Sequence, residues 1–237
     1  MIDIHCHILP EVDDGPKSWD IAQQMCRMAA VDGTQHIVAT PHSNDTYFYD
    51  RKYLSSLLER LRERVGDSPA LSLGCDFHLS FENMQSALDV PQRYCIANSR
   101  YLLIEFSNFS IPQQIEDWMT QMSDRGIVPI ITHPERNPLL QQNLERVSDW
   151  VKLGCAVQVT ASAILGGWGT RAHQAAQWLF KKKLVHVLAS DGHDIVRRPP
   201  VLSQAREAVA KEFGEQTARA LLEENPHAIV TDQAFTR

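Results

Sequence analysis

The sequence predicts an α/β fold built around a parallel sheet. Seven short runs rich in Val, Ile and Leu are apolar on both faces, which is typical of buried parallel strands. Helical segments lie between most of these runs, and this alternation is the pattern of α/β domains. A length of 237 residues also suits one barrel, because single barrels commonly contain about 200–250 residues.

The predicted elements follow one another regularly along the chain. We predict strands at residues 2–5, 36–40, 71–75, 102–106, 127–132, 155–160 and 184–189. Helices are predicted at residues 21–31, 54–65, 115–124, 144–153, 172–182 and 201–224, with a short one near residues 81–88. Four helices stop just before a glycine, a residue that takes the left-handed conformation at little cost. These glycines are Gly33, Gly66, Gly126 and Gly154.

We interpret the chain as a single domain covering residues 1–237. It contains no Ser/Gly tract, low-complexity segment or clear repeat that would mark a linker. Two α/β architectures fit this pattern: a closed (β/α)7-type barrel and an open doubly wound sheet. No GxGxxG motif follows the first strand, so a dinucleotide-binding fold is disfavoured.

The composition argues against several functional classes. A net charge of −6 and a pI of about 5.9 disfavour nucleic acid as a partner, because nucleic-acid binding usually requires a basic surface. No run approaches about 18 consecutive apolar residues, and the N-terminus lacks the basic and apolar regions of a signal peptide. We therefore expect a cytoplasmic protein with no direct membrane insertion.

The five cysteines do not indicate disulfide or thiol chemistry. Their number is odd and no two form a CxxC pair, so we expect reduced thiols. Phosphatases with a cysteine nucleophile use a Cys-x5-Arg loop, and the nearest case here, Cys95 with Arg100, is one residue too short. Cysteine catalysis is therefore disfavoured.

Ionisable side chains gather at the ends of the predicted strands. Six of the seven strands deliver a histidine or a carboxylate at the C-terminal end. These residues are His5, His7, His42, Asp76, Glu105, His133, Asp191 and His193. The remaining strand ends in Gln158-Val159-Thr160, which is polar but a poor set of ligands.

This arrangement predicts a metal site. In a parallel barrel all strand C-termini open onto one face, and alternate strand residues point the same way, so His5 and His7 can reach one ion. Burying several ionisable groups together is costly unless metal or ion pairs compensate. Imidazoles with carboxylates suit Zn, Mn or Fe. In the next loop Asp14 adds a possible ligand, whereas Asp13 is better interpreted as a turn and helix-cap residue.

The combined motifs resemble the polymerase and histidinol phosphatase (PHP) superfamily. More narrowly, the N-terminal Met-Ile-Asp-Ile-His-Cys-His segment and Val-Asp-Asp-Gly-Pro-Lys at residues 12–17 are similar to the CpsB/YwqE-type tyrosine phosphatases of capsule and exopolysaccharide systems. Ala-Thr-Pro-His at residues 39–42, Thr-His-Pro-Glu-Arg at 132–136 and Ala-Ser-Asp-Gly-His at 189–193 match as well. The resemblance covers nearly the whole chain and implies a distorted (β/α)7 barrel.

The resemblance also implies a site with up to three divalent ions, with manganese, iron or zinc as candidates. By position, the first ion would be held by His5, His7, Glu105 and Asp191. Glu105 would bridge to a second ion with Asp76 and His133. The third ion would be held by Asp14, His42 and His193.

The implied reaction is hydrolysis of phosphotyrosine on a protein by metal-activated hydroxide. The implied substrate is the tail of a membrane-associated tyrosine autokinase that regulates polysaccharide export. Arg136 can bind the phosphate with a bidentate fork. Arg198 is the second candidate, and Arg197 is its rival.

Two other functions stay open from the sequence. One is a PHP phosphoesterase acting on a small phosphate monoester such as histidinol phosphate, and the other is a non-catalytic PHP module. The loop Tyr47-Phe48-Tyr49 could flank an aromatic ring or simply pack the barrel rim. His78 is undecided, and the remaining histidines are interpreted as structural: His36, His173, His186 and His227.

Overall fold

The computed structural model describes residues 1–80 and 83–235. Strands alternate with helices throughout these residues. The strands are β1 (Ile2–Cys6), β2 (His36–Ala39), β3 (His42–Ser43), β4 (Ala70–Leu73), β5 (Asp76–Leu79), β6 (Tyr101–Phe106), β7 (Val128–Thr132), β8 (Ala156–Thr160) and β9 (Val187–Ala189).

The helices lie on the chain between the strands and after the last one. They are α1 (Trp19–Val31), α2 (Arg51–Val65), α3 (Met84–Asp89), α4 (Ile115–Asp124), α5 (Pro138–Gln142), α6 (Glu145–Lys152), α7 (Ala161–Ile164), α8 (Gly169–Lys181), α9 (Ser203–Phe213), α10 (Glu215–Arg219) and α11 (Asn225–Val230), with a π-helical turn at Ala220–Glu224. Part of the short helix predicted near residues 81–88 lies outside the described residues, and α3 covers the rest. The helix predicted at 144–153 is confirmed as α6, preceded by the separate α5.

The strands form a closed parallel barrel. One sheet has the order β1-β2-β4, the other has the order β3-β5-β6-β7-β8-β9, and all pairs are parallel. The two sheets join between β9 and β1, where the Asp191 amide donates to His5 O at 2.9 Å and the His7 amide donates to Gly192 O at 2.8 Å. The closed barrel, rather than the open doubly wound sheet, is therefore the architecture.

Two of the barrel strands are interrupted, and the strands predicted from the sequence do not include these breaks. β2 and β3 are separated at Pro41, which has no amide hydrogen for the ladder, and β4 and β5 are separated at Gly74. A Cβ atom at Gly74 would lie 3.0 Å from the Val38 Cγ1 atom, so the close approach of these strands requires glycine. Counting each interrupted pair as one strand gives seven, and His42 and Asp76 start the second segments.

Apolar side chains fill the barrel interior below the strand C-termini. The buried cluster comprises Ile4, Val38, Ile96, Tyr101, Leu103, Ile130, Ala156, Val187, Ala189 and Ile229. The C-terminal segment closes the lower end of the barrel, because Phe235 stacks on Tyr101 with ring centroids 5.6 Å apart and Arg100 pairs with Asp232 at 2.9 Å. The interior is thus packed, and the predicted ligands lie above it, at the upper end of the barrel.

The cysteines do not form disulfides among the described residues. All five thiols are free and buried, and burial raises the pKa of Cys6 and Cys75 well above the ordinary value, so neither is a reactive thiolate. Among the described helices, none combines the length and the apolar composition needed to cross a bilayer.

Candidate metal centre

All nine predicted ligands lie together at the upper end of the barrel. They come from the end of β1, the loop after it, the starts of β3 and β5, the end of β6 and the loops after β7 and β9. Nitrogen–oxygen distances between 3.1 and 3.6 Å link every member to at least one other. The sequence pattern predicts that these residues share one face of the barrel, and in the structure they lie close to one another.

The deepest part of the cluster surrounds His5 and His7. Asp191 Oδ1 lies 3.4 Å from His5 Nε2 and 3.5 Å from His7 Nε2. His5 Nε2 is also 3.5 Å from Asp76 Oδ2. The Nε2 atoms of the two histidines are 3.4 Å apart. Four donor atoms therefore face one another around a small volume, with every side chain buried.

His42 connects the two remaining parts of the cluster. Its Nδ1 atom lies 3.1 Å from Asp76 Oδ2 and 3.6 Å from Glu105 Oε2. Its Nε2 atom lies 3.4 Å from Asp14 Oδ1, and His193 Nε2 lies 3.2 Å from the same oxygen. Both ring nitrogens of His42 thus face carboxylates, two at Nδ1 and one at Nε2.

His133 approaches the cluster from the far side of Glu105. Its Nε2 atom lies 3.5 Å from Glu105 Oε1, while the other oxygen of Glu105 faces His42. The carboxylate of Glu105 therefore lies between two imidazoles, as a bridging ligand would.

Three overlapping sets of residues have donor atoms within 4.8 Å of one another. They are His7, Asp14, His42 and His193; His5, His7 and Asp76; and His42, Asp76 and Glu105. The first set contains the three residues expected for one ion and adds His7. The other two share Asp76, which therefore lies more centrally than the resemblance implies.

The separations fit metal ligation better than hydrogen bonding. Ligands about 2.0–2.2 Å from a common ion at angles near 90–110° would be about 3.0–3.6 Å apart. Both carboxylate oxygens of Asp76, His42 Nδ1 and His193 Nε2 are buried without a hydrogen-bond partner. Buried polar atoms are normally satisfied, so these orphaned atoms converging on common points indicate that the residues fit divalent ions.

The carboxylates of the cluster raise the pKa values of two of its histidines. Burial lowers the pKa of His5, but Asp76 and Asp191 outweigh burial and raise it to about 9. Burial likewise lowers the pKa of His42, but Asp14 and Asp76 raise it to about 11. Without a cation the carboxylates hold protons on these imidazoles. A divalent ion would displace such protons, because histidine ligands must be neutral.

The pKa values of His7 and Glu105 shift in the directions that favour the neutral form of each group. Burial and the neighbouring His193 lower the pKa of His7 to about 4. Burial and the charge of Asp76 raise the pKa of Glu105. The cluster therefore contains more negative charge than its protons balance easily, which favours bound cations.

Two residues outside the predicted set orient the histidines. Asp13 Oδ2 accepts from His7 Nδ1 at 2.7 Å, and Gln158 Oε1 lies 3.0 Å from His5 Nδ1. These contacts leave the Nε2 atom of each histidine facing the cluster, as is common for metal-binding histidines. The turn role expected for Asp13 is confirmed by its bond from the Gly15 amide at 2.9 Å. The helix-cap role is wrong, because Ser18 caps α1.

Asp3 and Ser190 hold the loop that carries Asp191. The carboxylate of Asp3 accepts from the Ser190 amide at 3.0 Å and from its hydroxyl at 2.5 Å. The Gly192 amide donates to the same hydroxyl at 2.9 Å. Asp191 itself has a φ of 51°, an uncommon value for a residue other than glycine, and such strain often marks functional sites.

Two arginines and a tryptophan border the cluster. Arg198 Nη2 donates to Asp191 Oδ2 at 2.5 Å, and Arg136 Nη1 donates to the same oxygen. The Arg136 guanidinium lies 3.7 Å from the Trp168 ring centroid, and that of Arg198 lies 5.4 Å from it. Arg197 is exposed, so the arginine beside the cluster is Arg198. Trp168 was missed because it lies in the turn between α7 and α8, and these helices follow β8, the strand without a predicted ligand.

The aromatic residues of the loop after β3 have different surroundings. Tyr49 is buried and its hydroxyl donates to Gly74 O at 2.9 Å, so it packs the barrel. Tyr47 stacks on His42 with ring centroids 6.0 Å apart, and Phe48 is 84% exposed. His78 Nδ1 lies 3.3 Å from Glu105 Oε2, which places His78 beside the cluster.

The four histidines interpreted as structural lie elsewhere. His36 pairs with Ser72 at 2.9 Å, His173 with Ala163 O at 3.1 Å, and His186 Nδ1 accepts from the Val157 amide at 3.1 Å. His227 is exposed on α11. Among the described residues, none of the four belongs to the donor sets.

Comparison with known proteins assigns the chain to a family. Residues 1–231 match the family described as "Capsular polysaccharide synthesis, CpsB/CapC". This chain belongs to the CpsB/CapC family. The match spans the barrel and every residue of the candidate metal centre.

Curated relatives of the family align over nearly their whole length. The tyrosine-protein phosphatase CpsB of Streptococcus pneumoniae is 31% identical over 98% of this chain and 99% of its own. The tyrosine-protein phosphatase YwqE of Bacillus subtilis (strain 168) is 30% identical over 100% of this chain and 94% of its own. The family resemblance inferred from the motifs is thereby confirmed.

A solved structure extends the likeness to three dimensions. It comes from the crystal structures of YwqE from Bacillus subtilis and CpsB from Streptococcus pneumoniae, described as unique metal-dependent tyrosine phosphatases. The TM-score is 0.91 at 31% identity, and the alignment covers 100% of this chain and 97% of the other. The predicted barrel fold is confirmed by this likeness as well as by the strand topology.

Proposed function

We propose that this CpsB/CapC-family protein is a metal-dependent protein tyrosine phosphatase of a capsule or exopolysaccharide system, with residues 1–237 as one phosphatase domain. The observation that carries the proposal is the convergence of nine imidazoles and carboxylates beside two guanidinium groups at one end of the barrel. Cations with arginines are suited to a dianionic phosphate ester. The relatives named as tyrosine phosphatases support the same conclusion.

We infer three divalent ions, with manganese, iron or zinc as candidates. His5, His7, Glu105 and Asp191 would hold the first ion. Glu105 would bridge to the second with Asp76 and His133, and Asp14, His42 and His193 would hold the third. When bound, such ions lower the pKa of water towards neutral and neutralise phosphoryl oxygens during displacement.

The residues of the chain would bind and orient the phosphate. A pocket of about 140 Å³ adjoins the cluster, and Glu105, His133, Arg136 and Trp168 are among its lining residues. Arg136 would donate to phosphoryl oxygens from this pocket, and Arg198, which donates to the same oxygen of Asp191, would do so from beside it. Asp191 now accepts from both guanidinium groups, so they are already directed towards the cluster.

The leaving group suits the residues around the pocket. A tyrosine hydroxyl has a pKa near 10, so a phenolate leaves without the proton that an alkoxide would require. His42 and His193 are occupied as ligands in this proposal and need not serve as general acids. We infer that the substrate is a cytoplasmic tyrosine-phosphorylated tail of a membrane-associated autokinase.

The proposal is tested by substrate choice and by metal content. We expect the metal-loaded protein to hydrolyse a phosphotyrosine peptide much faster than histidinol phosphate, and the reverse order would support the small-monoester alternative. His5→Ala should abolish turnover and reduce bound metal, measured by elemental analysis, while circular dichroism stays unchanged. His173→Ala, in α8 and away from the donor sets, is the matched control. Full activity of His5→Ala would refute the metal assignment.

A further inference from the structure

A second and larger cavity opens beside the donor cluster. Its volume is about 720 Å³, and the loops that follow β3, β5 and β6 form it. These are the strands that carry His42, Asp76 and Glu105. His78 lines this cavity and also lies 3.3 Å from Glu105 Oε2. We call the cavity the flanking groove, because it is continuous with the cluster through His78.

The walls of the flanking groove combine polar and apolar side chains and carry little charge. Their amide and hydroxyl groups include Asn44, Thr46, Ser107, Ser110 and Gln113. Asp45 is the one carboxylate among its described lining residues, and none of these is a lysine or an arginine. The pocket beside the cluster differs, because Arg136 lines it. The groove therefore suits an uncharged hydrogen-bonding partner rather than a phosphate group.

Exposed aromatic side chains lie on two of the loops that form the groove. Phe109, which lines it, is 92% exposed, and Phe48, on the loop after β3, is 84% exposed. Burying a phenylalanine ring is favourable relative to leaving it in water. Of the two rings, Phe109 lines the groove itself and is therefore available to a segment bound there.

We propose that the flanking groove binds the polypeptide segment next to the phosphotyrosine, in an extended conformation. This inference rests on the proposed function. The pocket of about 140 Å³ is smaller than the usual ligand site, so it is too small to hold the polypeptide on either side of the phosphotyrosine, and that polypeptide must lie outside it. The flanking groove provides a place for it, and its size is in the usual range of about 300–1,000 Å³ for ligand sites.

The chemistry of the groove matches an extended peptide. An extended segment presents unpaired amide and carbonyl groups, and side-chain amides and hydroxyls can pair with both kinds. The exposed ring of Phe109 can pack against an apolar side chain near the phosphotyrosine. Since the walls carry little charge, recognition would depend on the backbone and on that apolar contact more than on flanking charges.

The test compares two substrates in the metal-loaded protein. One is free phosphotyrosine, and the other is a phosphotyrosine peptide with about six residues on each side of the tyrosine. We measure the ratio of kcat/KM for the peptide to kcat/KM for free phosphotyrosine. Phe109→Ala removes the exposed ring, and Ser110→Trp fills the groove. Val31→Ala is the matched control, because Val31 is 91% exposed at the end of α1, far from the groove.

We expect both groove variants to lower this ratio by about tenfold, the usual loss when an aromatic contact at an interface is removed. The Val31→Ala control should leave the ratio unchanged. Fluorescence polarisation with a labelled non-hydrolysable phosphonate peptide should show the same weakening of binding. A ratio and a Kd that stay unchanged in both groove variants would overturn the groove assignment alone. Absence of phosphotyrosine turnover in the unsubstituted protein would overturn the proposed function and this inference together.

Discussion

His7 is fixed by Asp13, whose Oδ2 atom lies 2.7 Å from His7 Nδ1. Burial and the neighbouring His193 lower the pKa of His7 to about 4, so at neutral pH this imidazole carries one proton. That proton lies on Nδ1, which donates a hydrogen bond to the carboxylate of Asp13, and this leaves the lone pair of Nε2 directed at Asp191 and the cluster. Asp13 also accepts from the Gly15 amide at 2.9 Å, so the loop and the ligand are oriented together.

Replacing Asp13 by Asn should weaken metal binding without unfolding the protein. The amide can still accept a hydrogen bond, but it lacks the charge that makes the imidazole a better ligand. Loss of such a supporting contact usually costs about 10–100-fold in metal affinity or activity. Metal titration followed by calorimetry measures the change, with Asp20→Asn on the exposed start of α1 as the control. Equal affinities for both variants would contradict the orienting role of Asp13.

Much of the barrel and of the cluster could be predicted because both depend on local patterns. Buried parallel strands are continuous apolar runs, and a ligand type at a strand end is visible in one dimension. The predicted strands end at residues 40 and 75, next to the interruptions at Pro41 and Gly74. No local pattern shows that the two strands continue beyond these points as β3 and β5. Gln158 and Trp168 act through contacts with residues distant in the chain, His5 and Arg136, and no local pattern marks such contacts.

Arg198 and Arg197 are adjacent in the chain but differ in their surroundings. Arg198 Nη2 donates to Asp191 at 2.5 Å, whereas Arg197 is exposed. We expect Arg198→Ala to retain its metal and to lose about 10²–10³-fold in kcat/KM, the usual effect of removing a donor that stabilises transition-state charge. Arg197→Ala is the matched control and should stay within twofold of the unsubstituted protein. If Arg197→Ala shows the larger loss, the two assignments are reversed.

Trp168 should act by positioning Arg136. Its ring centroid lies 3.7 Å from the Arg136 guanidinium, and its Nε1 donates to Ser162 Oγ at 2.9 Å. Trp168→Leu removes the stacking face and should lower kcat/KM by about 3–30-fold, given a cation–π energy of about 0.5–2 kcal/mol. Trp168→Phe keeps a face for stacking but loses the Nε1 hydrogen bond. Recovery of activity in the Phe variant would assign the effect to stacking, and a loss equal to that of the Leu variant would exclude it.

The stability of the metal-free protein should fall as the pH rises from about 6.5 to about 9. The pKa of His5 is raised from 6.5 to about 9 and that of His42 to about 11. Their stabilising ion pairs are therefore complete below the unfolded pKa near 6.5 and are lost as the pH rises through the folded values. Asp76 and Asp191, whose pKa values are held well below normal, are ionised in both states across this window and add no slope.

Bound metal should reverse this dependence. Imidazole ligands must lose their protons to bind an ion, so metal affinity, and with it the added stability, increases with pH over the same window. Urea unfolding of the chelator-treated and metal-loaded protein at pH 6.5 and pH 9 measures both slopes. The expected result is a fall in the free energy of unfolding without metal and a larger metal-dependent gain at pH 9. If the metal-free free energy of unfolding is constant or rises, the pairing of protonated His5 and His42 with the carboxylates is wrong.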